Sequence, residues 1–329
     1  MKEQQDQKEL KRKFNLLIGS SETICILAHL NPDGDAVGSG LAVYNYILAK
    51  DPAKNVKMYL EEPSEKFSYL AGYESIETEN TVDKQYDLCI VCDCAAPDRI
   101  HQKFRKYLEN AKYSFLADHH ITNEGFCDVN FIVPEASSTS EIVFGLMDES
   151  LLDRKTAECI YTGIIHDTGV FKYSCTSPMT MNIAGKCMEF GFDFGKIIDD
   201  SFYSMNLRQK KLLGAVLTGI ESVFDGRFVY GVLTRKQMKE FGVTDNKDTD
   251  GFIDNIRTLD GALGAGFFYE LADGNYKCSL RSSTDMLNVA EIAAEFGGGG
   301  HMRASGCTLS KNIDEDIRKI LSLVGKQLS

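Results

Sequence analysis

The side chains in this chain that could do chemistry are histidines and aspartates placed just after short apolar runs. His29, Asp33 and Asp35 follow the apolar run Ile24–Ala28. Similar groups follow later runs, and they are Asp93, His119 with His120, and Asp167. Imidazole and carboxylate ligands together suit Mn²⁺ and similar ions. The Asn-Pro-Asp-Gly segment alone would be an ordinary turn, but the recurrence of such groups favours a metal site.

The number of aspartates indicates what kind of metal site this would be. Four carboxylates brought together without partners would repel one another and shift one another's pKa values. Two divalent cations would balance those four negative charges. Two such ions about 3.5–4 Å apart can deprotonate a water and hold the attacking and leaving oxygens of a phosphoryl transfer. We therefore expect a pair of divalent ions, with Mn²⁺ favoured, and phosphoryl chemistry.

The elements that must position these residues alternate between strands and helices. Apolar runs predict strands at Ile24–Ala28, Val56–Leu60, Asp87–Cys92, Tyr113–Ala117 and Val129–Val133. Helices are predicted at Val37–Ala49, Ser138–Asp148, Arg154–His166 and 177–191. This alternation predicts an α/β domain with a mostly parallel sheet and helices on both faces. Ligands of such sheets bind at the carboxyl ends of the strands, where the candidate residues lie.

The pattern changes after about residue 195. A helix at Leu207–Leu217 precedes a hairpin with Asp225-Gly226 at its turn, two strands near 262–272 and 276–282, and helices at Val289–Phe296 and Asp314–Gln327. We expect a metal-binding domain over residues 1–195, a hinge helix over 196–213 and a smaller α+β domain over 214–329. The expected substrate site is a cleft between the two domains.

Composition limits the partners and the compartment. The net charge of −12 disfavours a long basic groove for duplex nucleic acid but permits a small anionic substrate. The charged first fourteen residues do not have the pattern of a signal peptide, and no apolar run approaches the ~18 residues of a spanning helix. The ten cysteines are expected to be reduced core thiols. These features predict a cytoplasmic protein that does not bind membranes.

The motifs, taken in order, resemble those of the DHH phosphoesterases. In the first domain they are His29-Leu-Asn-Pro-Asp33-Gly-Asp35, Val-Cys-Asp93, Asp118-His119-His120 and His-Asp167-Thr-Gly. In the second, Ser-Leu-Arg281-Ser, the glycine run ending in His301, and Ala304-Ser-Gly306 resemble the DHH-associated C-terminal domain. The resemblance covers nearly the whole chain. It is strongest to the compact nano-RNase branch, which hydrolyses very short oligoribonucleotides and 3′-phosphoadenosine 5′-phosphate.

The resemblance implies a role for each motif residue. One metal would be held by His29, Asp33 and Asp93, and the second by Asp35, Asp93, His119 and Asp167, with Asp93 bridging the two. Asp118 would orient a histidine, and His120 would face the phosphate or act near the leaving oxygen, so His120, Asp93 and Asp118 are the expected catalytic residues. The expected substrate-binding residues are Arg281, Gly298, Gly299, Gly300, His301 and Ser305.

Two residues beside the metal-site motifs depart from the family pattern and leave the substrate preference open. His166 stands where a small or polar residue is expected, and Val170 where many relatives carry a basic or small one. The alternatives are a cyclic-dinucleotide or linear dinucleotide phosphodiesterase, a manganese inorganic pyrophosphatase and a non-catalytic nucleotide sensor. The pyrophosphatase signature Ser-Arg-Lys-Lys-Gln is absent from the sequence, and the full set of ligands argues against a sensor. The expected partners are short single-stranded oligonucleotides or small nucleotides, and the chain could form a homodimer.

Overall fold

The computed structural model describes residues 2–79, 84–243 and 246–329. The chain divides into two compact units, Met1–Tyr203 and Ser204–Ser329. The predicted hinge region, residues 196–213, contains the end of a short helix, a π-helix at Asp199–Tyr203 and the first part of a further helix. Its role as a hinge remains a prediction.

The first unit is built on a six-stranded sheet in which all the described strand pairs are parallel. The strands are β1 (Thr23–Leu27), β2 (Asn55–Tyr59), β3 (Ile76–Glu77), β4 (Leu88–Cys92), β5 (Tyr113–Asp118) and β6 (Val129–Ile132), in the order 3-2-1-4-5-6. The helices are α1 (Lys2–Ser20), α2 (Gly34–Lys50), α3 (Gln102–Glu109), α4 (Thr139–Leu146), α5 (Arg154–Asp167), α6 (Pro178–Met188) and α7 (Phe194–Ile198). The predicted α/β fold is confirmed, although the helix predicted over 177–191 ends at Met188.

Helices cover both faces of this sheet, as the sequence predicts. Side chains alternate between the faces along each strand. On β1, Ile24 and Ile26 belong to a core shared with α2, α4 and α5, whereas Cys25 and Leu27 belong to a second core that includes α3. Burial on both faces explains why the strands are continuous apolar runs rather than alternating ones.

The close contact between α2 and α5 brings two parts of the candidate site together. A methyl group at Gly38 of α2 would lie 2.6 Å from the Cys159 carbonyl oxygen and 2.9 Å from the Gly163 nitrogen of α5. The two backbones therefore approach more closely than any side chain would allow. Because of this contact, Asp35 at the start of α2 lies near Asp167 at the end of α5.

We expect Gly38→Ala to destabilise the protein by roughly 1–3 kcal/mol, because the added methyl group meets backbone atoms that cannot rotate away. The matched control is Gly185→Ala in α6, where a methyl group would meet nothing within 4 Å. That change should stabilise by roughly 0.5–1 kcal/mol, because alanine is the better helix former. Urea unfolding followed by circular dichroism measures both, and a Gly38→Ala protein as stable as the wild type would contradict the close-packing argument.

The second unit is an α+β domain, as predicted, and its sheet contains both parallel and antiparallel pairs. Its elements are α8 (Leu207–Thr218), β7 (Glu221–Val223), β8 (Phe228–Leu233), α9 (Arg235–Glu240), α10 (Phe252–Ile256), β9 (Gly264–Glu270), β10 (Tyr276–Ser282), α11 (Val289–Ala294), β11 (Gly299–His301), β12 (Ala304–Leu309) and α12 (Ile313–Leu328). The strand order is 11-12-10-9-8-7, and the pair of β8 and β9 is parallel while the other pairs are antiparallel. Helices α11 and α12 pack on one face, and α8 and α10 pack on the other over β8 and β9.

Candidate active site

The candidate metal ligands of the first unit gather at the carboxyl edge of its parallel sheet. His29 lies two residues after β1, Asp93 directly follows β4, and His119 directly follows β5. Asp33 caps α2, and its carboxylate accepts hydrogen bonds from the first backbone N–H groups of the helix, which include that of Asp35 at 3.0 Å. The strand ends and the helix cap thus direct these side chains to one place.

Asp93 lies between the histidines of this group. Its Oδ2 is 3.3 Å from His29 Nε2, and its Oδ1 is 3.6 Å from His119 Nε2 and 3.7 Å from His120 Nδ1. The residue is 2% exposed and has a φ of +54°. Aspartate and asparagine adopt this left-handed conformation more readily than most residues. The two oxygens of Asp93 therefore face different histidines, an arrangement that suits a ligand shared by two ions.

Three groups of described side chains could each hold a metal ion. Within each group, one ligand atom per residue lies within 4.8 Å of the others, and the groups are His29-Asp33-Asp93, Asp35-His119-Asp167 and Asp93-His119-His120. The first group matches the first predicted ligand set. The second predicted set is brought together too, because His119 Nε2 is 3.0 Å from Asp167 Oδ2 and 3.6 Å from Asp93. Mixed carboxylate and imidazole donors fit a divalent ion such as Mn²⁺.

Hydrogen bonds to the backbone fix the orientation of two of these ligands. Nδ1 of His29 donates to the Leu30 carbonyl at 2.7 Å, which leaves Nε2 facing the carboxylates. The Asp35 carboxylate is fully buried and accepts hydrogen bonds from the N–H groups of Thr139 at 2.6 Å and Ser140 at 2.9 Å. These N–H groups belong to the first turn of α4, where the helix dipole favours an anion. The start of α4 thus contributes to the cluster through two backbone N–H groups and through the Thr139 hydroxyl, which donates to Asp93 Oδ1 at 3.1 Å.

Asp118 does not lie in any of the three groups but holds His120 in place. Its Oδ1 accepts a hydrogen bond from His120 Nδ1 at 2.7 Å, and its Oδ2 accepts one from Asn123 Nδ2 at 2.6 Å. The Asp118 bond raises the pKa of His120, and the two bonds outweigh burial and lower the pKa of Asp118. Sequence reasoning missed Asn123, because it acts through its side chain across a loop and no local pattern indicates that contact.

The carboxylates strongly perturb the titration of the histidines. Burial disfavours the charged form of His29, but Asp33 and Asp93 outweigh it and raise the pKa of His29 to about 11. Asp167 and Asp35 likewise overcome burial and raise the pKa of His119 to about 10. Burial, with repulsion from Asp93, raises the pKa of Asp167 to about 6. The cluster by itself therefore keeps protons on His29 and His119, and a divalent cation would take the place of that positive charge.

His166 adjoins Asp167 in sequence but packs away from the cluster. Its ring lies 5.1 Å from that of Phe67 and 4.7 Å from that of Phe202, measured between ring centroids, and against Gly34, where a Cβ would overlap it. Burial lowers the pKa of His166 to about 3. His166, which departs from the family pattern, is thus a neutral side chain that packs against aromatic rings.

In the second unit, Arg281 and His301 lie in one row across three strands. Arg281 of β10 pairs with Ala304 of β12, which in turn pairs with His301 of β11. Directly paired residues of antiparallel strands point to the same face. Arg281 and His301 therefore flank a small alanine, with Arg281 partly exposed and His301 exposed.

The glycines of the second unit allow β11 to lie close against β12. A Cβ at Gly298 would lie 2.8 Å from the Cys307 Cα, and one at Gly300 would lie 2.6 Å from the Ala304 carbonyl oxygen. Gly299, between them, has open space around it. Ser305 is 5% exposed and donates its hydroxyl to the His301 carbonyl at 2.7 Å. By strand alternation its side chain points to the face opposite Arg281, so the structure does not place this predicted residue with the others.

Comparison with known proteins gives the same two-part organisation. Residues 23–164 match the family described as "DHH family, N-terminal domain", and residues 227–329 match the family described as "DHHA1 domain". A Streptococcus mutans protein named "Probable bifunctional oligoribonuclease and PAP phosphatase NrnA" is 33% identical over 316 residues, which cover 92% of this chain and 96% of that protein. The Bacillus subtilis protein named "Bifunctional oligoribonuclease and PAP phosphatase NrnA" is 27% identical, over 91% of this chain and 93% of its own.

A solved structure supports the same relationship. The crystal structure of an exopolyphosphatase-related protein from Bacteroides fragilis matches this chain with a TM-score of 0.88 and 26% identity, over 97% of this chain and 96% of that one. In the described part of the chain, no helix has the length and apolar character needed to span a bilayer.

The fold and the acidic and histidine cluster define a phosphoesterase. The chain belongs to the DHH family, and this confirms the resemblance found in the sequence.

We expect Asp93→Asn to abolish tight Mn²⁺ binding and to reduce turnover by at least a thousandfold, because an amide lacks the charge that faces both groups of ligands. The fold should survive, since asparagine tolerates the left-handed backbone and its oxygen can still accept from the Thr139 hydroxyl. Calorimetric Mn²⁺ titration and circular dichroism measure the two effects. The matched control is Asp98→Asn at an exposed position nearby, and wild-type Mn²⁺ binding by the Asp93→Asn protein would contradict the assignment.

Proposed function

We propose that this chain hydrolyses the phosphoester bonds of very short oligoribonucleotides and of 3′-phosphoadenosine 5′-phosphate with two divalent cations, most favourably Mn²⁺. The observation that carries the proposal is the placement of Asp93 between two groups of metal-capable side chains. The substrate class is supported by the names of the relatives, which match more than nine-tenths of both chains.

The proposed ligands of the first ion are His29, Asp33 and Asp93. Those of the second ion are Asp35, Asp93, His119 and Asp167. When bound, two such ions would supply an activated water and stabilise the charge that develops on the phosphoryl group. The protein's own contribution is to hold the ligands rigidly, through the helix cap at Asp33 and the N–H groups of α4 that bind Asp35.

His120 is proposed to act on the leaving oxygen. The hydrogen bond from its Nδ1 to Asp118 fixes the ring and raises the pKa of His120, which favours the protonated form of the imidazole. A positioned and protonated imidazole can donate that proton to a departing oxygen. Asp118 in turn is fixed by Asn123.

The second unit is proposed to bind the substrate. The Arg281 guanidinium can hold a phosphate through two parallel hydrogen bonds, and it lies in one row with His301. Gly299 has open space around it, so a phosphate oxygen can approach the backbone there without hindrance from a side chain. Gly298, whose N–H donates to the Ala293 carbonyl at 2.9 Å, and Gly300 would contribute by letting β11 lie close against β12. Ser305 would contribute by bracing the His301 carbonyl.

A reducing compartment such as the cytoplasm is the proposed location. The ten cysteines are free thiols, and eight of them are buried. Buried unpaired thiols are typical of proteins from reducing compartments. The homodimer remains a prediction from the sequence.

We expect Arg281→Ala to raise KM at least tenfold with little change in kcat, whereas His120→Ala should lower kcat about 10²- to 10⁴-fold. The reason is that Arg281 is proposed to contact substrate phosphate remote from the reacting bond. Steady-state kinetics on a diadenosine ribonucleotide with Mn²⁺ separate the two effects. Arg318→Ala, which removes an exposed arginine of α12, is the control. A fall in kcat alone for Arg281→Ala would contradict this division of roles.

The test of the substrate class is kcat/KM on single-stranded RNA of two to twenty nucleotides, on 3′-phosphoadenosine 5′-phosphate, on a cyclic dinucleotide and on pyrophosphate. We expect the rate to fall steeply beyond about five nucleotides, because a net charge of −12 offers no basic track for a long strand. Salt should weaken binding only mildly, since few phosphates are neutralised. Undiminished, processive degradation of the twenty-nucleotide strand would contradict the proposal, as would pyrophosphate as the best substrate.

A further inference from the structure

The loop that follows Asp167 turns back on itself through an unusual backbone. Residues 169–171, Gly-Val-Phe, have φ values of +54°, +56° and +63° in succession. A valine in the left-handed region is a strained exception, and such strain concentrates at functional sites. The Thr168 carbonyl accepts a hydrogen bond from the Tyr173 N–H at 2.9 Å, which closes the turn. The backbone of Tyr173 is thus hydrogen-bonded to the residue that directly follows the metal-site residue Asp167.

This turn places the ring of Tyr173 directly on Gly169. A Cβ at Gly169 would lie 2.7 Å from Cε2 of that ring and 2.8 Å from its Cε1, and it would overlap Cζ. Position 169 therefore favours glycine for two reasons: its φ is positive, and a Cβ there would overlap the Tyr173 ring. Tyr173 is nevertheless 47% exposed. One side of the ring is held against the backbone while much of the residue faces solvent.

The position of the ring relative to the reacting centre follows from chain geometry. Consecutive Cα atoms are 3.8 Å apart, so the Tyr173 ring contact at Gly169 lies within about 12 Å of the Asp167 Cα. Asp167 belongs to the group of ligands with Asp35 and His119. A fixed aromatic ring at this distance is within the reach of one nucleotide whose phosphate lies at the metal site.

We propose that Tyr173 is a stacking platform for the nucleobase beside the reacting phosphate, an inference that rests on the proposed function. Proteins that bind single-stranded RNA stack unpaired bases on aromatic rings. Such a ring tolerates any base, because every base has a π-face. Tyr173 therefore selects a substrate that carries a base next to the scissile bond, and it does so without selecting its sequence.

The test compares substrates that differ only in the base. Wild type, Tyr173→Ala, Tyr173→Phe and Tyr173→Leu are assayed with Mn²⁺ on a diadenosine ribonucleotide and on two analogues in which either adenine is replaced by hydrogen. Because stacking contributes about 1–3 kcal/mol per base, Tyr173→Ala should lower kcat/KM on the complete dinucleotide about 5- to 150-fold. Tyr173→Phe should stay within about threefold of the wild type, and Tyr173→Leu should resemble Tyr173→Ala.

The analogue that lacks the stacked base gives the decisive comparison. On that analogue, Tyr173→Ala should match the wild type, because there is no base for the ring to bind. Tyr113→Ala is the control, since Tyr113 is a similarly exposed tyrosine at the opposite, amino end of β5. It should act as the wild type on all three substrates.

Two results would overturn the inference while leaving the proposed function intact. An equal loss on the complete dinucleotide and on both analogues would mean that the ring only supports the Asp167 loop. No loss on the complete dinucleotide would mean that the base binds elsewhere. A wild-type protein that hydrolyses none of the three substrates would overturn the proposed function and the stacking with it, and the wild-type assay identifies that case.

Discussion

The constraint on which the first unit depends is the burial of carboxylates at the ends of parallel strands. Asp35 and Asp93 are 0% and 2% exposed and lie among further acidic groups. A buried carboxylate is costly unless hydrogen bonds or opposite charges compensate it. Asp35 obtains two backbone N–H groups from α4, and Asp93 obtains the Thr139 hydroxyl and the neighbouring histidines. The fold is thus arranged to hold negative charge where a cation can bind.

Helix packing and local backbone conformation together satisfy this constraint. The contact at Gly38 lets α2 and α5 approach until Asp35 and Asp167 meet, although the two residues are far apart in sequence. The left-handed residue Asp93 turns its side chain into the cluster directly at the end of β4. Asp93 lies where a strand ends, and the Gly38 contact brings Asp35 and Asp167 to the same place, which is where an α/β sheet binds its ligands.

Most of the fold and the first-unit site could be predicted because their signals are local. Strands buried on both faces are continuous apolar runs, and the aspartates and histidines stand directly after them. The partners of these residues were harder to predict. Asn123 acts through a side chain across a loop, and Ser140 acts through a backbone N–H, which any residue could supply. The side of β12 on which Ser305 lies depends on register, which composition does not encode.

His166 illustrates why neighbours in sequence need not share a site. Successive residues of an α-helix point about 100° apart, since 3.6 residues complete a turn. At the end of α5, Asp167 therefore points into the cluster while His166 points to Gly34, Phe67 and Phe202. Its buried Nε2 has no hydrogen-bond partner among the described residues, and its lowered pKa keeps it neutral. The unusual residue thus fills space at the start of α2 without adding a charge beside the metal-binding cluster.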